Sequence, residues 1–247
     1  MSSPQKKTAV VTGASSGIGA ATAERLTQEG FDVVMGARRA DRLEEVAGRI
    51  GGRAVTLDVT DAESVERFVS ELDGVDVLVN NAGGAVGMEP IAAISDDDIA
   101  TMWATNVGGL VRMTRSLLPL LEASGGGHVV NIGSIAGFET YPGGGGYTAA
   151  KHAVRAITRT LRIELLGKPI RVTEVAPGLV ATEFSTVRFR GDVGKAAEVY
   201  KGMTPLTPDD VADCVAWAVT RPRHVDIDEI VIRPVAQASA TDVARSG

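Results

Sequence analysis

Short β-branched runs alternate with stretches of helical period along most of the chain. Thr8 to Thr12, Phe31 to Ala37, Arg53 to Leu57, Val75 to Val79, His128 to Ile132, Ile170 to Val175 and Glu229 to Ile232 read as strands. Helices are predicted from Ala20 to Glu29, closing at Gly30, and over Ala40 to Ile50, Asp61 to Leu72, Tyr147 to Leu166 and Pro208 to Val219. The acidic start Ser95-Asp96-Asp97-Asp98 suits a helix dipole, and a long helix is expected to hold Thr105 to Gly109 near its beginning. Strands and helices alternating at this pace predict an α/β fold, a parallel and doubly wound sheet with right-handed crossovers. Ligands in such sheets sit beyond the carboxyl ends of the strands.

Those strand ends carry the candidate chemistry. Gly13-Ala14-Ser15-Ser16-Gly17-Ile18-Gly19 links the first strand to the first helix with the spacing G-x-x-x-G-x-G. Backbone N–H groups of such a turn approach a diphosphate at the positive end of the helix, so a dinucleotide is the favoured ligand and a bare turn the alternative. It is no Walker loop, since no Gly-Lys-Ser/Thr occurs. After the second strand, where an acid usually holds the ribose 2′-hydroxyl of NAD, stand Arg38 and Arg39. Guanidinium forks suit a 2′-phosphate, which favours NADP(H); two solvated arginines opening a helix are the plain alternative. Asp58, before Val59, accepts from an adenine amino group or caps its turn, and Asn81 follows the fourth strand.

Ser134 stands past the fifth strand as a hydrogen-bond donor. Ile132 breaks the G-x-S-x-G pattern of a nucleophile elbow. Tyr147 and Lys151, four apart, share one face of the next helix. An ammonium there lowers a phenol from its usual pKa of about 10, which makes an acid/base of the tyrosine. On spacing alone, an ordinary surface helix is the commoner explanation of the pair. Residues 179–203 are mixed in charge and weakly periodic from Leu179 to Tyr200, which suits a mobile lid over a pocket. Arg188 within it is a candidate for a substrate carboxylate, with a surface or subunit contact as the alternative. The small, polar tail from Ala236 to Gly247 is expected to fray or to lie on a neighbouring subunit.

The totals narrow the class. A single α/β domain, 1–247, accommodates 247 residues, 44% of them hydrophobic, without repeat or linker. The net charge of -6 argues against a nucleic-acid or anionic-membrane surface. The single cysteine, Cys214, lies in an apolar run and reads as packing rather than reactive. The opening Met1-Ser2-Ser3-Pro4-Gln5 leads into too short an apolar run for a signal peptide, and no stretch is long enough to span a membrane. A cytoplasmic protein without a metal site is expected.

Thr12 to Gly19, Asn80 to Gly83, Ser134, Tyr147-x-x-x-Lys151 and Pro177-Gly178 together form, in order and spacing, the motif set of the short-chain dehydrogenase/reductase family, which the chain resembles over nearly its whole length. The resemblance implies a Rossmann-type doubly wound parallel sheet of about seven strands with helices on both faces. It also implies a tetrad of Asn106, Ser134, Tyr147 and Lys151. The cofactor set is then Gly13, Ser15, Ser16, Gly17, Ile18 and Gly19, with Arg38, Arg39, Asp58 and Val59. Asn81, Ala82, Gly83, Tyr147, Lys151, Pro177, Gly178, Val180 and Thr182 complete it.

Gly87 to Pro90, Gly178 to Val180, Thr182 to Ser185, Val187 to Phe189, Gly191-Asp192 and Leu206 to Pro208 further resemble the NADP-dependent 3-hydroxy acid dehydrogenase branch. That branch oxidises serine, L-allo-threonine and related acids, typically as homotetramers. Four consecutive glycines, Gly143 to Gly146, depart from its pattern and leave the wall beside Tyr147 less defined. By this resemblance Tyr147 takes the substrate proton, Ser134 steadies the same oxygen, Lys151 reaches the nicotinamide ribose and Asn106 holds a water for proton relay. Substrate contacts fall on Ser134, Tyr147 and Arg188. A reductase of a ketone or aldehyde in secondary metabolism and a non-catalytic NADP(H) sensor are the alternatives, and the intact tetrad argues against the sensor.

Overall fold

A computed structural model describes residues 6–246 of the chain. Met1 to Gln5, where the signal-peptide question falls, and Gly247, the last residue of the tail, lie outside the described residues. All seven predicted strands are present: β1 (Thr8–Thr12), β2 (Asp32–Ala37), β3 (Arg53–Thr56), β4 (Val77–Asn80), β5 (Gly127–Ile132), β6 (Ile170–Pro177) and β7 (Glu229–Ile232). They form one parallel sheet in the order β3-β2-β1-β4-β5-β6-β7. The order reverses between β1 and β4, which opens the crevice where such sheets bind ligands.

The central strands are buried on both faces, as their β-branched runs require. One face packs Val11, Met35, Val79 and Val175 against α1 (Gly17–Gln28), α2 (Ala40–Ile50) and α9 (Pro208–Val219). The other packs Val10, Leu78, Val129 and Val172 against α3 (Ala62–Ser70), α5 (Leu110–Ala123) and the end of α6 (Gly145–Glu164). Phe68, Met113, Leu117 and Leu121 supply the apolar stripe there, each worth about 1.5–3 kcal/mol when fully buried. Cys214 packs half-buried against the first core, and burial pushes its thiol pKa up, as a packing residue requires. Side chains close the helix starts: Asp61 accepts from the Glu63 N–H, and Thr207 and Asp210 form a reciprocal capping box with Pro208 in the first turn.

Three regions differ from the sequence expectation. Thr105 to Gly109 lie in the middle of a long helical run, not near its start. α4 (Asp96–Trp103) passes through a π-helical turn, Ala104–Gly109, into α5. The stretch 179–203, weakly periodic in sequence, is helical in part. It holds α7 (Phe184–Arg188) and α8 (Val193–Glu198), and the Tyr200 hydroxyl donates to the Val180 carbonyl. The described tail, through Ser246, folds back on this chain. Gln237 is buried and accepts from the Leu179 N–H, the Ala244 N–H donates to the Ala236 carbonyl, and the Ser246 N–H donates to the Gly202 carbonyl. Paired backbone groups hold it there, where the sequence offered only small polar residues.

A buried polar chain sets α6 over the sheet. The Asn80 amide donates to Thr114 Oγ1 and Asn131 Oδ1, the Asn131 amide donates to Thr158 Oγ1, and that hydroxyl donates to the Val154 carbonyl. Polar groups this deep are costly unless paired, so the chain defines one register of α5 and α6 over β4 and β5. Among the described residues no helix is long and apolar enough to cross a membrane.

Candidate active site

A cavity of about 780 Å³ follows the carboxyl edge of the sheet. At one end is the turn between β1 and α1. Gly13 has φ 67°, and a Cβ there would lie 2.9 Å from Ala82 Cα, so the turn and the end of β4 approach too closely for a side chain. Ser16 precedes α1 without a side-chain cap, which leaves first-turn N–H groups for an anion. Asn81 stitches the two loops together: its amide donates to the Thr12 and Gly13 carbonyls, while Thr12 Oγ1 accepts from the Asn81 and Ala82 N–H groups. This uncapped, glycine-lined cradle beside a long cavity fits a dinucleotide.

All the predicted cofactor residues line the cavity except Gly19, which packs beneath the turn with no room for a Cβ, which would lie 2.5 Å from the Gly13 oxygen. Arg38 and Arg39 differ. Arg39 donates to Ser15, Ser16 and Glu183, whereas Arg38 has no hydrogen-bond or ion-pair partner among the described residues. Asp58 caps its own turn, accepting from the N–H and hydroxyl of Thr60, while still lining the cavity.

At the other end Ser134, Tyr147, Lys151 and Arg188 come together around the cavity. Ser134 caps the 3-10 turn Ile135–Gly137 by accepting from the Ala136 N–H. Tyr147 is buried against Phe184, ring centroids 5.4 Å apart. The Lys151 ammonium lies 5.9 Å from the Tyr147 ring and donates to the Ile132 carbonyl at 2.8 Å. The expected lowering of the phenol pKa by Lys151 is not what the chain's own groups produce. Burial pushes it up, Tyr141 adds to that, and Ser134 and Arg188 pull it back only in part. Burial likewise pushes Lys151 down to about 8, opposed by Glu174.

Asn106 does not line the cavity. Its amide donates to the Gly84 and Met102 carbonyls and its Oδ1 accepts from the Gly84 N–H, so the side chain holds the loop after β4. The glycine run is also better defined than expected. Gly143 has φ 73° and lies against the Met88 carbonyl, Gly144 lies against the Tyr141 ring, and Gly145 and Gly146 pack on Ile91 and Met102.

Arg188 is 8% exposed, with its Nε donating to the Gly87 carbonyl and Nη1 to Tyr141 Oη at 2.8 Å. Its Nη2 has no partner, and no acid among the described residues pairs with the guanidinium. Among the cavity residues that sequence reasoning did not assign to the site are Tyr141, Glu183 and Gln237. Only the aromatic before Pro142 offered a signal, because the other two reach the cavity through tertiary packing. Glu174 was missed as well. Buried on β6, it is pushed up to about 7 by burial and by Glu229.

Known proteins resemble the chain over nearly its whole length. An uncharacterized oxidoreductase of Mycobacterium tuberculosis strain H37Rv is 57% identical over 237 residues, covering 96% of this chain and 94% of its own. The NADP-dependent 3-hydroxy acid dehydrogenase YdfG of Escherichia coli K12 is 43% identical, over 94% of this chain and 96% of its own. The closed form of a serine dehydrogenase complexed with NADP+ superposes with a TM-score of 0.92 at 42% identity, covering 97% of this chain and all, 100%, of that one. Residues 7–192 match the short chain dehydrogenase family. The chain is an oxidoreductase and belongs to the short chain dehydrogenase family.

Proposed function

We propose that this enzyme interconverts a 3-hydroxy acid, such as serine or L-allo-threonine, and the corresponding carbonyl acid with NADP(H). The observation that carries the substrate class is Arg188: a buried guanidinium with an unpartnered Nη2, beside Tyr147 and paired with no acid among the described residues. A buried cation without a counter-charge is costly, and a substrate carboxylate relieves that cost. The names of the Escherichia coli relative and of the serine dehydrogenase support the same reading.

NADP+, when bound, supplies the hydride acceptor, and NADPH the donor. Gly13, Gly17 and the uncapped first turn of α1 would hold the diphosphate, and Arg38 with Arg39 would hold the 2′-phosphate. In oxidation Tyr147 Oη takes the proton of the substrate hydroxyl, and in reduction it returns it. Ser134 Oγ donates to the same oxygen and steadies its developing charge. Ser134 and the Arg188 guanidinium offset part of the burial of the phenol, and Lys151 would reach the nicotinamide ribose. Asn106 acts as a positioning residue through the loop at Gly84. Exposed Trp103, Val111 and Trp217 support a homotetramer, and the reading places the enzyme in the cytoplasm.

The test is a panel of 3-hydroxy acids and neutral alcohols of matched skeleton, followed by NADPH absorbance. Acids are expected to turn over with the lower KM, and Arg188→Ala to raise KM for acids by about tenfold or more while sparing the alcohols. Equal KM changes for both groups would refute the carboxylate assignment.

A further inference from the structure

Two arginines converge on one carboxylate at the mouth of the cavity. Glu183 stands immediately before α7, with Oε2 2.9 Å from Arg39 Nη1 and Oε1 2.6 Å from Arg42 Nη1. The same Arg39 reaches across to the β1–α1 turn, where Nη2 donates to Ser16 Oγ at 2.6 Å and to Ser15 Oγ at 3.1 Å. Its Nε also donates to Ser15 Oγ, so Nε, Nη1 and Nη2 all have partners within the chain. Arg38, Arg39 and Glu183 line one cavity, and Arg42 lies in the first turn of α2.

Glu183 therefore presents an anion to Arg39, one of the two guanidinium groups that a 2′-phosphate would use. Hydrogen bonds from Arg39 and Arg42 hold its carboxyl down at about 2, so it stays ionised at neutral pH. The side chains of Arg39, Arg42 and Glu183 are 46%, 51% and 46% exposed, and ion pairs that open to water are weakly held and yield to a competing anion. A phosphate carries more charge than a carboxylate, but it must displace Glu183 or share the guanidinium groups with it.

We propose that Glu183 is a cofactor-specificity residue: its carboxylate, anchored by Arg42, competes with the 2′-phosphate for Arg39, and so holds the preference for NADP(H) over NAD(H) below what Arg38 and Arg39 alone would give. The inference rests on the reading of Arg38 and Arg39 as the phosphate-holding pair. It adds a restraint to that site rather than another contact.

The test is fluorescence titration of NADPH and NADH into the full-length enzyme and its Glu183→Gln, Arg38→Ala and Arg39→Ala variants, at low and high salt. Glu183→Gln is expected to tighten NADPH by about three- to tenfold at low salt, with NADH changed by less than about twofold and the gain shrinking at high salt. Unchanged or weakened NADPH binding in Glu183→Gln, with selective NADPH losses in the arginine variants, would overturn the proposal alone. Equal losses of both nucleotides in the arginine variants would overturn the phosphate reading beneath it, and the proposal with it.

Discussion

Tyr147 and Lys151 are both buried, and burial opposes the charged form of each, moving the phenol pKa up and the ammonium down to about 8. The phenol is thus held as a proton donor by its surroundings, and positive charge is what turns it into an acceptor. Tyr147→Phe keeps the ring against Phe184 and removes only the hydroxyl. It is expected to lower kcat by about 10³-fold or more in an NADPH-formation assay, with the NADPH dissociation constant unchanged within about threefold. Retained turnover would remove Tyr147 from its role. The proposed tetrad could be named because its spacing resembles a family motif, but the surroundings of its residues could not be read. The sequence held no sign that Asn106 is spent on Gly84, 22 positions away, or that Arg188 meets Gly87, 101 positions away.

At the scale of elements, the start of α6 is where close packing replaces side chains. Gly143 combines a left-handed φ of 73° with a backbone oxygen, that of Met88, in the place of a Cβ. Gly145 meets only the far end of the exposed Ile91 side chain, which can swing aside. Gly143→Ala is therefore expected to cost about 2 kcal/mol or more in urea unfolding, and Gly145→Ala no more than about 1 kcal/mol either way. Similar losses for both would mean that the run acts as one unit. Strand and helix order could be read from the chain because each strand is a β-branched run closed by a turn. The π-turn at Ala104–Gly109 and the short α7 and α8 could not, since contacts outside those segments decide them.

For the whole molecule, the sheet order gathers site residues from Gly13 to Gln237 along one edge. Its outer surface keeps apolar side chains in water, among them Ile99 and Trp103, one turn apart on α4. Trp103→Glu is expected to convert the proposed tetramer to a smaller species by native mass spectrometry, because a charge at a desolvated contact is penalised. An unchanged mass would place the contact elsewhere. Fold class and sheet edge were legible at this scale, because crossover handedness leaves few topologies. The path of the tail was not, because its small residues carry no period.

The strand order has a kinetic consequence. β1, which carries the glycine turn, pairs with both β2 and β4, while Ser134 and Tyr147 follow β5 in the chain. Long-range parallel pairings of this kind form slowly, because loop closure precedes the contacts that reward it. A refolding chain is therefore expected to regain helix before the nucleotide cradle, so that recovery of nucleotide binding would time the closing of the sheet at the junction of β1 and β4.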